Sequence, residues 1–268
     1  MTMANMWMTA AAFVLALAAM PLRLISVADE IKLGNEAQRS LRKEVPEVGG
    51  AAATYVARIG RRLAAHAKGP RYPYSFSIAN YREINAFALP GGPVWVHRGA
   101  MEAAANESQL AGVLAHEVAH IARRHAADQI SKGAVANGLL GLLGAVLGNS
   151  GGARTAQIGA QVLAGGYMMK FSRDDEREAD RFGLEIMRSA GWDARGLLEF
   201  MQTLRARAGR DPGSVEVFLS THPSPADRVE RLRAQLRGVP KGGTRDSAEF
   251  QRVRGTLKRM APARALPK

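Results

Sequence analysis

The sequence contains no cysteine. That absence excludes a disulfide scaffold, a thiolate-held zinc or iron–sulfur site, a thiol nucleophile and a lipid-modified N-terminal cysteine. Any metal must be held by histidine and carboxylate. Histidine is scarce too, six in 268 residues, so each can be weighed singly. Acidic residues are in deficit: 24 Asp+Glu face 37 Lys+Arg, a net charge of +13. The few aromatic residues do not interleave the basic positions, as a groove for stacked bases would require. No nucleic-acid partner is therefore expected. The basic excess lies late, with 16 Lys+Arg against 8 Asp+Glu in residues 193–268. It offers a surface to anionic lipid or phosphate, or else an ordinary solvated face and tail. No internal repeat is visible. What is present is a globular composition, 47% hydrophobic and 23% charged, which excludes wholesale disorder.

Residues 1–22 carry no charged side chain, and Met6 to Met20 is a largely apolar run. Its length suits a signal-peptide core and is short for a membrane span, so residues 1–22 read as a signal peptide or N-terminal anchor. Either reading places the remaining chain in the periplasm or cell envelope. Residues 28–66 have helical spacing, broken at Pro46 and Gly49-Gly50. Tyr72–Ala79, Ile84–Leu89 and Val94–Val96 read as strands. The Pro90-Gly91-Gly92-Pro93 turn should join the last two as a hairpin. One long helix is expected from Asn106 or Glu107 to about Lys132. Residues 133–169 turn apolar, with Asn149-Ser150-Gly151-Gly152 at the middle, and read as a helical hairpin. Each half is too short to span a bilayer; the hairpin could meet a membrane surface or pack as structure. Further helices are expected at 171–190, 193–208 and 225–237. Residues 238–268 read as a basic, mobile tail. The fold class is α+β, mostly helical, with a small β-sheet.

The chemical signal is His116-Glu117-Val118-Ala119-His120, an HExxH pattern on the long helix. Residues i and i+4 share a helical face, so both imidazoles can reach one ion. Glu117, one position on, can touch a water on that ion and take its proton as the water attacks a carbonyl. The plain alternative, two core histidines one turn apart, leaves a buried glutamate unexplained. On a continuous helix His125 lies about 140° from His120, a poor ligand position that reads as structural. The better third ligand is in Asp174-Asp175-Glu176-Arg177-Glu178-Ala179-Asp180. Glu176 and Asp180 share a face, so one can bind the ion while the other orients an imidazole.

Four strings, in order, carry a resemblance: Ile84 to Gly92, Asn106 to His120, Glu176 to Gly183, and Thr221-His222-Pro223-Ser224-Pro225 with Arg228. Together they resemble the HtpX/CAAX-protease family of zinc metallopeptidases, most nearly its periplasmic BepA-like branch, over residues 25–237. The resemblance implies a zincin-like (gluzincin) metallopeptidase domain holding one Zn2+ per chain. It implies His116, His120 and Glu176 as ligands, with Glu176 rather than Glu178 as the carboxylate. It implies Glu117 as general base and Asp180 as the partner of a ligand imidazole. It gives His222, on a stiff segment beside prolines, a place over the metal, either as a fourth ligand at rest or as an oxyanion stabiliser. Asn85, Ala86, Phe87, Gly91 and Gly92 would border the substrate cleft, where a strand edge can bind extended polypeptide. The implied function is zinc-dependent endopeptidase cleavage of misfolded or unassembled envelope proteins. The alternative is a chaperone-like envelope protein whose zinc site His222 closes. Members of that branch carry C-terminal helical repeats that this sequence does not show, so docking through repeats is not expected. The hairpin at 133–169 and the basic C-terminus are the candidate membrane-surface contacts.

Overall fold

The computed structural model describes residues 23–136, 170–222 and 225–267. The expected leader at 1–22 and nearly all of the expected hairpin at 133–169 lie outside the described residues. The rest is mostly helical around a small sheet, as the composition and periodicity predict. Helices α1 (Val27–Glu44) and α2 (Gly50–Ala64) come first. Strands β1 (Ser75–Ala79), β2 (Ala86–Ala88) and β3 (Pro93–His97) follow. The order is β1-β3-β2, with β3 parallel to β1 and antiparallel to β2. The expected hairpin forms, with Ala86 opposite Val96 and Ala88 opposite Val94. The first strand starts three residues later than the alternation suggests. Pro73 has no N–H to give a ladder, and Tyr74 N–H turns back to the Tyr72 carbonyl at 3.0 Å. β2 is an edge strand, and among the described residues no strand pairs with its outer side.

Short helix α3 (Arg98–Ala103) leads to α4 (Glu107–Ala122), the centre of the molecule. Asn106 caps α4, its side chain accepting from Gln109 N–H at 3.1 Å. All sixteen residues of α4 are buried. A helix enclosed on every side is apolar nearly all round, and its few polar residues need partners. Glu107 finds them in the Tyr55 hydroxyl (2.9 Å), the Trp192 indole N–H (2.8 Å) and Ser247. Against α4 pack α6 (Arg173–Ser189) and α7 (Arg195–Ala208). α6 begins at a capping box made by Ser172 and Asp175. The α4–α7 contact is close at glycine: a Cβ on Gly196 would lie 2.2 Å from the Ser108 carbonyl oxygen. α8 (Glu216–Thr221) and α9 (Pro225–Gln235) then lead into the C-terminal segment.

Two sequence expectations are corrected. The helix predicted over 106–132 is two helices, because Arg124 takes a left-handed φ of 64° and α5 (His125–Ala136) starts anew. Neither glycine nor proline marks the break. Its cause is distant in the chain: Arg124 donates to the Glu30 carboxylate at 2.6 Å and to the Ile25 carbonyl at 2.7 Å. The second correction is the tail. Residues 248–259 form helix α10 (Ala248–Arg259), burying Phe250, Val253 and Leu257. Arg98 fastens it by donating to the carbonyls of Leu257 (2.6 Å) and Ala261 (2.7 Å). Asp246 accepts from the Glu107 N–H at 3.1 Å and the Arg245 carbonyl from Ser108 N–H at 2.8 Å, so this segment completes the N-terminus of α4. Among the described residues no helix is long and apolar enough to cross a membrane.

Candidate active site and metal centre

α4 brings His116 and His120 to one face, as the i, i+4 spacing requires. α6 is laid across that face, with Gly183 against the His116 backbone, where a Cβ would lie in van der Waals contact at 3.4 Å. This approach delivers Glu176 and Asp180 from successive turns. α8 ends at His222, whose backbone N–H caps the Phe218 carbonyl at 2.8 Å. Ligand-type atoms of His116, His120, Glu176 and His222 all lie within 4.8 Å of one another. His116 Nε2 is 3.0 Å from His120 Nε2. Glu176 Oε1 is 3.3 Å from His120 Nε2 and 2.8 Å from His222 Nδ1. Each of the four is 1% exposed.

The electrostatics explain how so many charged groups sit in the interior. Arg228 of α9, fully buried, lays Nε and Nη2 on the Asp180 carboxylate at 3.0 and 2.6 Å. Its Nη1 is 2.8 Å from Glu176 Oε2. Asp180 Oδ1 lies 3.2 Å from His116 Nδ1, so His116 is backed by Asp180 and Asp180 by Arg228. Burial alone would push the His116 imidazole down, and Arg228 adds to that. The Glu176 and Asp180 carboxylates against it reverse the sign and bring it up to about 9. His120 is held well below the usual range, burial prevailing over its contact with Glu176. Burial would raise the Glu176 carboxyl, but His222, Arg228 and His116 hold it well down.

The residues fit a divalent cation. Counted with the imidazoles neutral, as metal binding requires, Glu117, Glu176 and Asp180 carry three formal negative charges against the one of Arg228, a buried excess of two. Leaving that excess in the interior is costly, and one dication neutralises it. Two or three imidazole nitrogens with one carboxylate oxygen form a donor set suited to zinc. Ligands about 2.0–2.1 Å from a tetrahedral zinc stand about 3.3 Å apart, and the separations of 2.8 to 3.3 Å above are of that order. Glu117 is fully buried, and neither of its carboxylate oxygens has a hydrogen-bond partner among the described residues. Its Oε1 is 3.7 Å from His222 Nε2.

Sequence reasoning missed several contributors. Phe171 stacks on the His120 ring at 4.0 Å, and Phe218 stacks on His222 at 4.8 Å, so aromatic walls fix both imidazoles. Arg228 had no assigned role. His125, expected on the far face, has Nδ1 at 2.9 Å from His120 Nδ1, because the break at Arg124 swings it round. The expected cleft residues divide. Ala86 and Ala88 lie on the edge strand, and a small cavity joins Ala88, Leu89 and Gly91 to His120, Arg124 and Phe171. Phe87 instead lies parallel to Trp95 in the apolar layer beneath α1. Asn85 is 1% exposed. Gly91 and Gly92 have positive φ; a Cβ on Gly91 would lie 2.4 Å from the Glu30 carbonyl of α1, and one on Gly92 would lie 2.9 Å from the Pro73 carbonyl.

Comparison with known proteins agrees with this centre. The profile of peptidase family M48 matches residues 51–236. The beta-barrel assembly-enhancing protease of Escherichia coli is 32% identical over 215 residues, covering 78% of this chain and 44% of that protein. The mitochondrial metalloendopeptidase OMA1 of Schizosaccharomyces pombe is 33% identical over 182 residues, 68% of this chain and 52% of that one. The metalloprotease YcaL of Escherichia coli is 28% identical over 193 residues, covering 70% and 74%. The chain spans about half the length of the assembly-enhancing proteases it matches. The matched span takes in well over half of the chain and every group of the buried His–carboxylate cluster, and on that ground the chain belongs to peptidase family M48.

Proposed function

We propose that the chain is a zinc endopeptidase with His116, His120 and Glu176 as the ligands, and that His222 closes the site at rest as the fourth. The observation that carries this reading is the buried set of three imidazoles and one carboxylate, whose ligand-type atoms lie within 4.8 Å of one another. Zinc bound there supplies Lewis acidity toward a peptide carbonyl and acidifies water. Glu117 takes the proton of the attacking water and passes it to the leaving amine. Its carboxylate is suited to this because nothing else in the described protein occupies it. Asp180 holds His116 by its Nδ1, and Arg228 holds Asp180. The outer edge of β2 at Ala88, its one partly exposed residue, binds extended polypeptide as an added strand, a mode tolerant of side-chain sequence. The substrates are unfolded or unassembled polypeptides of the cell envelope, and the protein acts in the periplasm. The names of the assembly-enhancing relatives support this, as does the leader-like sequence of residues 1–22.

The deciding experiment is Glu117→Gln. It should retain one zinc per chain and lose casein cleavage by about 100-fold or more, the range of general-base catalysis. Undiminished cleavage by a zinc-loaded variant would refute the mechanism.

A further inference from the structure

His125 and Glu178 stand outside the proposed ligand set, yet they are joined to it in a line. His125 Nδ1 lies 2.9 Å from His120 Nδ1, and His125 Nε2 lies 2.9 Å from Glu178 Oε2. Glu178 in turn receives Arg123 Nη2 at 2.8 Å. His125 is 1% exposed and Glu178 partly exposed, so the line runs from the buried ligand to the protein surface.

The direction of the protons follows from the partners. A carboxylate only accepts, so His125 Nε2 carries the N–H that faces Glu178. In a neutral ring that leaves Nδ1 bare. A bare His125 Nδ1 accepts the N–H of His120 Nδ1. His120 Nε2 is then bare, and it is the nitrogen that faces His116 and Glu176. The chain of bonds therefore selects the one tautomer of His120 that can donate its Nε2 lone pair to a metal. It also fixes the plane of the His120 ring, on whose face Phe171 stacks.

We propose that His125 and Glu178 are positioning residues that set the tautomer and orientation of His120. The inference rests on the zinc reading of the cluster. The two ligand imidazoles would then be supported differently. His116 has a wholly buried aspartate–arginine pair behind it. His120 has an imidazole–carboxylate relay that opens to solvent. Arg124 makes the relay possible, since without its left-handed φ His125 would lie about 140° away along the helix.

The test titrates wild type, His116→Ala, His125→Leu, His125→Gln and Glu178→Gln with zinc against a chelating indicator. Cobalt-loaded visible spectra are recorded on the same proteins. Lost support of a ligand histidine should weaken zinc by about 10–100-fold, so His125→Leu should fall in that range, with a shifted cobalt spectrum and a fall in kcat at little-changed KM. His125→Gln, whose amide oxygen can accept from His120 Nδ1, should recover most of the affinity and the spectrum. Glu178→Gln, at the exposed end, should weaken zinc in the same direction but less. It also decides the matter if His125→Leu does not fold. Wild-type affinity and spectrum in the folded His125 and Glu178 variants would overturn the positioning role and leave the zinc site standing. Unchanged zinc binding by His116→Ala would instead overturn the zinc reading itself.

Discussion

Arg228 and Asp180 form a two-pronged ion pair in the interior, with Nε and Nη2 at 3.0 and 2.6 Å from the two carboxylate oxygens and neither residue exposed beyond 1%. They come from helices 48 positions apart, and the pair closes the network behind His116. Arg228→Met removes the guanidinium that Glu176 and Asp180 share. Removing one partner of a buried pair costs about 3–5 kcal/mol. Denaturant unfolding with a chelator present should show that loss. Added zinc should restore part of it by supplying positive charge at the same place. A variant as stable as wild type under chelation would mean that the pair does not offset the buried carboxylates.

His222 lies inside the proposed donor set and is 1% exposed. If it closes the site, His222→Ala should cleave casein several-fold faster than wild type while keeping its zinc. A slower variant with full zinc content would show instead that His222 assists the reaction.

A pH effect is expected away from the metal. Burial holds the His97 imidazole down to about 4, against the pull of the Glu83 carbonyl. In the unfolded chain it titrates near its ordinary value of about 6.5. Between those values the unfolded state binds a proton that the folded state refuses. Stability is therefore fully present above about pH 6.5 and falls as the pH drops toward 4. The window is worth about 3 kcal/mol. In chelated protein, wild type should lose more stability between pH 7 and 5 than His97→Gln does. Identical losses in the two proteins would refute the assignment.

The C-terminal helix is expected to be part of the cooperative fold. Phe250 is fully buried, with its ring 6.4 Å from that of Tyr55. Phe250→Ala should cost about 3–5 kcal/mol and lower the Tm by several degrees. A detachable tail would leave the Tm unchanged.

Much of the site is legible in the chain because it rests on local geometry. His116, Glu117 and His120 are placed by the helical repeat alone, and Glu176 and Asp180 likewise share a face of α6. Their burial was legible too, in the apolar residues around them. The limits appear where a local rule meets a distant partner. The composition of residues 238–268 reads as tail, yet Phe250, Val253 and Leu257 find a core to enter, and Arg98 supplies donors for the last carbonyls of α10. The basic excess that the sequence places late includes Arg228, a buried cation paired with Asp180, and Arg245, which is paired with Asp193 and Glu199.

The sequence by itself determined the metal chemistry. With no cysteine, only histidine and carboxylate remain, and the HExxH spacing puts them on one helical face. Tertiary structure decided what surrounds that set. His222 reaches Glu176 across 46 positions, and Arg228 reaches Asp180 across 48. His125 reaches His120 only because Glu30, far earlier in the chain, holds Arg124 in a conformation that no local signal announces. A helical period is written in neighbouring residues. A left-handed break held by an ion pair 94 positions away is written in none of them.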